Sequence, residues 1–286
     1  MLGSVGDLVE DVVVRLREQV NVASDTQATV IRRRGGSAAN VIAAACRAGV
    51  PARFIGQVGD DATGRGLTEA LLADGADVVV RRAGRTGTII VLVDTAGERT
   101  MLSDRAACTE LTDPDPAWLD GLHTLHIPYY SLAVEPLATA SATLAQWAVA
   151  RGIRVSIDTS SAAVLQHVGP AHALAHIRSL RPSVLLANEL EAATLGTELH
   201  PDHLNGALVI IKQGADAAIV LAAGQPARQV PAETIADVSD TTGAGDAFAA
   251  GLLIALADGA DALTATRRAH LVAAAAVRRA SAQALG

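Results

Sequence analysis

The sequence predicts an α/β protein: a central, mostly parallel sheet with helices on both faces, plus two strand pairs outside its strand–helix rhythm. Three observations predict this. From about residue 120 onward, short β-branched or apolar runs alternate with longer helical runs, the rhythm of strands joined by crossover helices. Two earlier stretches, about 11–34 and 84–105, break that rhythm and read as paired strands. Half of the 286 residues are hydrophobic but only 2% are aromatic, so the chain has a large core built from Ala, Val, Leu and Ile. No linker, repeat or low-complexity tail divides it, and one domain over 1–286 is expected.

The elements follow in order. Residues 11–30 read as a strand pair. Residues 88–93 are a β-branched run, Thr95-Ala96-Gly97 makes a turn, and 99–102 returns, which is a hairpin. Strands are then expected over 122–127, 153–157, 183–187, 207–211 and 217–221, with helices over 135–150 and 172–180. In such sheets ligands bind beyond the carboxyl ends of the strands. Asp158, Asn188 and Lys212 all fall at or just past such ends.

Composition excludes several classes. A net charge of −7, from 23 basic and 30 acidic residues, argues against nucleic acid as a partner. The apolar runs are too short or too interrupted to span a bilayer. The start has no basic segment before an apolar one, so a cytoplasmic location is expected. Two cysteines, Cys46 and Cys108, make no disulfide or metal framework. Arg32-Arg33-Arg34 is the one basic triplet. It reads as a solvated strand end or as attraction for an anionic substrate or ATP, and it directly precedes Gly35-Gly36. Lys212 is the sole lysine.

The segment Asp240-Thr241-Thr242-Gly243-Ala244-Gly245-Asp246 carries the chemistry. A glycine turn opens an apolar helix, whose first N–H groups have no partner within it and form an anion site. A carboxylate beside an anion site repels phosphate. It makes sense as a base that takes a proton from a nucleophile attacking phosphorus. A first-turn Asp that only complements the helix dipole is the plainer reading of position alone.

This segment resembles the C-terminal signature of the ribokinase-like (PfkB) family of sugar and nucleoside kinases. Gly35-Gly36-Ser37-Ala38-Ala39-Asn40, with Gly49, the run 54–61 and Gly64, is similar to that family's N-terminal signature. The resemblance covers almost the whole chain. It implies a ribokinase-like fold, with the strand pairs at about 11–34 and 84–105 forming a lid over a sugar site. It also implies ATP-dependent phosphorylation of a sugar hydroxyl, with Mg²⁺ as cofactor, K⁺ as a candidate activator and a homodimer through the lid.

Carried over residue by residue, the resemblance makes Asp246 the general base, with Gly243, Ala244 and Gly245 giving N–H groups to the γ-phosphate. Asp11, Gly36, Ser37, Asn40 and Arg99 become the sugar site, with Asp7 a weaker member. Asn188, Lys212, Gly214 and His270 fall to the nucleotide. His270 stands where Asn is common in the family. Glu191 is expected to hold Mg²⁺ through water, although Asn188 and Glu191 also have the form of a helix capping box. Asp240 and Thr242 would hold a monovalent cation, but Ser281 replaces a glycine usual in that loop.

Two alternatives stand beside the sugar kinase. A nucleoside kinase, of the adenosine type, shares the fold, but a base needs stacking surface and this chain has only two each of Phe, Trp and Tyr. A non-catalytic sensor would have no need of Asp246. A P-loop kinase is excluded because no Gly-Lys-Ser/Thr exists, and a Rossmann dehydrogenase because no strand leads into Gly-x-Gly-x-x-Gly.

Overall fold

The computed structural model describes residues 1–284 except 237 and 239, and the side chains up to 281. In chain order the elements are β1 (Leu2–Val5), β2 (Val9–Leu16), β3 (Ala28–Gly35), α1 (Ser37–Arg47), β4 (Ala52–Val58), α2 (Ala62–Ala73), β5 (Asp77–Arg82), β6 (Thr88–Val93) and β7 (Arg99–Asp104). Then come β8 (Thr124–Pro128), α3 (Leu137–Ala150), β9 (Arg154–Asp158), α4 (Ala162–Val168), α5 (Pro170–Ser179), β10 (Val184–Asn188), α6 (Glu189–Leu195), β11 (Leu208–Lys212), β12 (Ala217–Leu221), β13 (Arg228–Pro231), α7 (Ala244–Ala257) and α8 (Ala262–Ala284).

Nine strands form the main sheet, in the spatial order β13, β12, β11, β10, β9, β8, β1, β4, β5. The seven from β11 to β5 pair in parallel. The expected strand over 217–221 exists, but β12 runs antiparallel to β11 and β13 continues that edge. The reason is connection length: too few residues separate β11 from β12 for a crossover helix, so the chain must turn back. Strands β1 and β8 are buried along their whole length, as expected of a sheet covered on both faces. One core lies under α1, α7 and α8, and the other under α3 and α5.

Small shifts from the expected bounds have local causes. Helix α3 begins at Leu137 rather than 135, because Glu135 precedes a proline and is held out of the helical region. Helix α5 begins two residues early, with Pro170 at its first position, where a missing N–H costs nothing. Helix α4 and strand β13 are too short to announce themselves by periodicity.

The second sheet has four strands in the order β3, β2, β6, β7. It joins the two stretches singled out as strand pairs, with β2 and β6 parallel at its centre. Register sorts its residues by face. Asp11 lies opposite Arg33 and Ile89, so these share one face; Val13 and Val91 share it and are buried. Val30, Ile90 and Leu102 occupy the opposite face and are exposed.

Candidate active site

The carboxyl edge of the main sheet is set by register. Asp158 pairs with Pro128 on one side and Leu186 on the other, and Asn188 pairs with Lys212. The ends of β9, β10 and β11 therefore present Asp158, Asn188 and Lys212 side by side. Lys212 Nζ donates to Asp158 Oδ2 at 2.6 Å, and Asp158 Oδ1 accepts the Ser160 N–H at 3.0 Å. Burial would lower the pKa of Lys212, but the Asp158 carboxylate more than offsets this and raises it. Lys212 stays charged. Its Nζ lies 3.5 Å from where a Cβ on Gly245 would stand, at the foot of the glycine turn.

The turn meets the first helix at Asp246. Ser37 Oγ donates to Asp246 Oδ1 at 2.6 Å and Asn40 Nδ2 to Oδ2 at 2.9 Å. Ser37 and Asn40 are three residues apart, so they share one face of α1. That face is aimed by Gly36, the N-cap of α1, at φ 101°; a Cβ there would collide with the Asp7 carbonyl. Burial pushes the Asp246 carboxyl up to about 6, partly offset by the Ser37 and Asn40 hydrogen bonds. Gly243 caps α7 in the left-handed region, at φ 76°. Among the described residues, the N–H groups of Gly243, Gly245 and Asp246 find no backbone acceptor, but that of Ala244 donates to Thr241 O at 3.1 Å. Ala244 is thus a correction: its N–H closes the turn and is not free for an anion.

Asp11 and the second sheet cover this site from the other side. Burial pushes the Asp11 carboxyl up to about 6; Arg33 opposes the shift and Asp246 adds to it. Arg33 Nε lies 3.9 Å from Asp11 Oδ2, and its Nη1 donates to Asp240 Oδ2 at 3.1 Å. Arg99 Nη2 donates to Asp240 Oδ1 at 3.0 Å and its Nη1 to Thr242 Oγ1 at 2.9 Å. Two arginines of the second sheet therefore grip the start of the signature segment.

The Asp240 carboxylate and Thr242 hydroxyl, expected to meet a monovalent cation, are paired with arginines in this structure. Both Asp240 oxygens hold guanidinium groups, and Oδ1 also accepts the Thr242 N–H at 2.8 Å. Burial would raise its pKa, but the donors from Thr242, Arg33 and Arg99 prevail and hold it below the ordinary carboxylate range. Arg99 itself binds these residues rather than open space.

The nucleotide candidates divide. Asn188 and Glu191 form a complete capping box: Asn188 Oδ1 accepts the Glu191 N–H at 2.9 Å and Glu191 Oε2 the Asn188 N–H at 2.8 Å. Glu191 also accepts from Thr159 Oγ1 at 2.6 Å and from Asn188 Nδ2 at 2.7 Å, and is 2% exposed. Both its oxygens accept hydrogen bonds, Oε2 from two donors and Oε1 from one. Burial raises its pKa. Gly214 turns the chain after β11 at φ 60°. His270 is a further correction. It is 7% exposed, its Nε2 meets the Val230 carbonyl at 3.1 Å and its ring packs edge-on against Phe248. It is a packing residue, not a group open to adenine.

Sequence reasoning passed over Arg105 and gave Asp158 and Asp7 only minor places. Asp158 was visible only as a strand end; its pairing with the sole lysine needs the register. Asp7 is held by Arg105 through two bonds of 2.6 and 2.7 Å, and Arg105 lies 5.4 Å over the Tyr130 ring. Nothing in the local pattern links positions 7 and 105. A pocket of about 240 Å³ is lined by Asp11, Asn40, Thr242 and Gly243 together with Arg34, Arg47 and Arg279.

The comparisons with known proteins fit this geometry. A family model described as pfkB family carbohydrate kinase matches residues 2–285. The chain belongs to that family. As a pfkB family carbohydrate kinase it is a phosphotransferase whose acceptor is an alcohol. A fructokinase from Klebsiella pneumoniae is 30% identical over 256 residues, covering 83% of this kinase and 81% of the relative. An ATP-dependent ribose-1-phosphate kinase from Halopiger xanaduensis is 32% identical over 249 residues, covering 84% and 80%. Among solved structures, adenosine kinase from Sinorhizobium meliloti superimposes with a TM-score of 0.83 at 22% identity, covering 98% of both chains. At that identity it speaks to the fold, which is ribokinase-like.

Proposed function

We propose that this kinase transfers the γ-phosphate of ATP to a hydroxyl of a sugar, with Asp246 as general base. The observation that carries this is the setting of Asp246. Its carboxylate is half-buried, oriented by Ser37 and Asn40, and next to the N–H groups of Gly243 and Gly245, which have no backbone acceptor among the described residues. A pKa of about 6 leaves it deprotonated near neutral pH yet basic enough to accept a proton in the transition state. The hydroxyl oxygen forms a bond to phosphorus, its proton passes to Asp246, and the bond to the leaving oxygen breaks to release ADP. Gly243 and Gly245 would donate to the charge that builds on the transferred group. Lys212 would meet the phosphates beside Gly245. Asp11 would orient the sugar by accepting from its hydroxyls.

Mg²⁺ would neutralise phosphate charge, held by the nucleotide and, through water, by Glu191. Among the described residues, no three His, Cys, Asp or Glu side chains cluster as metal ligands, so the substrate must supply much of any coordination shell. The second sheet acts as the lid. Its exposed face, with Val30, Ile90 and Leu102, would bury apolar surface in a homodimer. No described helix is long and apolar enough to cross a membrane, and a cytoplasmic location is part of the proposal.

A nucleoside acceptor is the second reading, supported by the likeness to an adenosine kinase fold. The pocket lined by Asp11, Asn40 and Gly243 has no aromatic ring in its lining, which favours a sugar. A coupled ADP-release screen over pentoses, hexoses, their phosphates, sugar acids and nucleosides tests the proposal. Turnover of a carbohydrate that Asp246→Asn abolishes supports it; a nucleoside as sole substrate, or an Asp246→Asn variant at full rate, overturns it.

A further inference from the structure

A second pocket opens on the α3 and α5 side of the main sheet. It has a volume of about 270 Å³. Tyr129, just after β8, lines it together with Glu135 and Thr139 around the start of α3 and His172 and His176 on α5. The rest of its lining is apolar. The two histidines are one helical turn apart and so share a face of α5. His176 meets the Tyr129 ring edge-on, with the centroids 6.5 Å apart. None of these side chains belongs to the site around Asp246.

The Tyr129 hydroxyl is buried and has no hydrogen-bond partner among the described residues. Burial pushes its pKa up to about 12, so it keeps its proton and can donate. A buried donor left without an acceptor is costly, and an acceptor brought into the pocket would satisfy it. Burial and the neighbouring His172 lower the pKa of His176, with Glu135 opposing them. At neutral pH the His176 ring is therefore neutral, with one nitrogen that donates and one that accepts. Glu135 is the one carboxylate in the lining and argues against an anion. A cavity of about 150 Å³ holds benzene, so this one takes a molecule of one or two rings. The lining thus suits a neutral, flat ring that both gives and accepts hydrogen bonds.

Tyr129 also joins the pocket to both ends of the active site. Its backbone N–H donates to Ser160 Oγ at 3.0 Å, and the Ser160 N–H donates to Asp158 Oδ1 at 3.0 Å. Asp158 in turn holds Lys212. The next carbonyl, that of Tyr130, accepts from Arg105 Nη1 at 3.2 Å, and Arg105 holds Asp7. Ser160 sits in the left-handed region at φ 63°, which a residue other than glycine keeps only where its surroundings hold it. We infer that this pocket is an effector site for a neutral heteroaromatic ring of the nucleobase kind, which accepts from Tyr129 and tightens ATP binding through Ser160, Asp158 and Lys212. A ring in the pocket fixes the Tyr129 turn and the strained Ser160 joint, so less ordering is left for ATP to do. The site goes beyond the proposed sugar-kinase function, and only its coupling to ATP rests on that reading.

Calorimetry on the intact protein with uracil, cytosine and nicotinamide tests this. At least one is expected to bind with a Kd of about 0.1 mM. Benzoate, an anion of like size, and indole, which accepts no hydrogen bond, should bind at least about tenfold more weakly. A saturating ring should lower the Kd for ATP about fivefold, and saturating ATP should lower the Kd for the ring by the same factor. Thr139 is exposed, so Thr139→Trp is expected to fold and to block the ring, with kcat and the KM for ATP in the absence of a ring within about twofold of wild type. Tyr129→Phe should weaken the ring about tenfold and raise the melting temperature of the free protein, because no buried donor is left unpaired. The inference is overturned if no ring saturates below about 5 mM, if benzoate binds best, if Tyr129→Phe leaves ring affinity unchanged, or if a bound ring leaves ATP affinity untouched; each of these leaves the sugar-kinase function intact. A protein that binds no ATP, with or without a ring, would remove both.

Discussion

The two ends of the signature segment hold the same side chain in opposite states. Asp240 is gripped by Arg33 and Arg99 and is held below the ordinary carboxylate range. Asp246, six residues on, receives only the neutral donors Ser37 and Asn40, and burial pushes it up to about 6. Charged donors make a carboxylate a permanent anion and hence a structural tie. Neutral donors orient it without removing its basicity, and hence leave it able to take a proton. On the proposed mechanism the site separates holding from reacting along one short stretch of chain.

Asp246→Asn breaks the reacting end. The neutral amide keeps the shape but cannot accept the proton, and kcat should fall about 10³-fold. Nucleotide binding, followed by calorimetry, should be retained. An Asp246→Asn variant that also fails to bind ATP would mean the residue is a structural tie like Asp240.

Asp240→Asn breaks the holding end. It leaves Arg33 and Arg99 without their shared anion and should destabilise the protein by about 2 kcal/mol, the arginines being partly solvated. Loss of alignment between the second sheet and α7 should lower kcat/KM up to about a hundredfold. Chemical denaturation and steady-state kinetics read the two effects. Wild-type values in both would show that the arginine grip is incidental.

Acid titration sharpens the contrast, because the two residues tilt stability in opposite directions. Asp11 and Asp246 have folded pKa values near 6, above the ordinary 3.8, so the native state binds more protons than the unfolded chain between those pH values. Their contribution to stability is fully present below about pH 4 and is lost as pH rises through about 6. Asp240 is shifted down, so its contribution is present above 3.8 and lost at lower pH. Denaturant midpoints measured from pH 4 to 8 should lose part of their slope in Asp246→Asn but not in Asp240→Asn. The same raised pKa predicts that kcat/KM falls tenfold per pH unit below about 6.

Two milder changes probe the surroundings. Glu191→Gln should raise the Mg²⁺ concentration for half-maximal activity about tenfold, and an unchanged Mg²⁺ titration removes Glu191 from the metal's surroundings. Because guanidinium groups already occupy Asp240, replacing K⁺ by tetramethylammonium should alter turnover less than about twofold. A strict K⁺ requirement would point to a cation site built from backbone carbonyls instead.

Much of this was legible in the sequence where the chemistry is local. Ser37 and Asn40 were pointed to by the family resemblance, whereas the glycine turn with Asp246 behind it followed from spacing. So did the strand–helix rhythm and the two strand pairs of the second sheet. What was hidden depends on contacts distant in sequence. Arg33 reaches Asp240 across 207 positions and Lys212 reaches Asp158 across 54. Arg47 and Arg279 looked like ordinary helix-surface charges until α1 and α8 were set beside one pocket. His270 failed for the converse reason: an aligned position suggested a ligand contact, but burial against Phe248 had already used the ring.

Lys212 is the only lysine in 286 residues, and its side chain is 16% exposed and tied to Asp158. A lysine-specific protease therefore has one bond to cut, giving fragments 1–212 and 213–286. In the native protein that bond follows a strand in the middle of the sheet, where a protease cannot bind its extended substrate. Cleavage reports opening at a single place, with no background from other sites. The chain carries a built-in proteolytic clock for the end of β11, readable on a gel with no label attached.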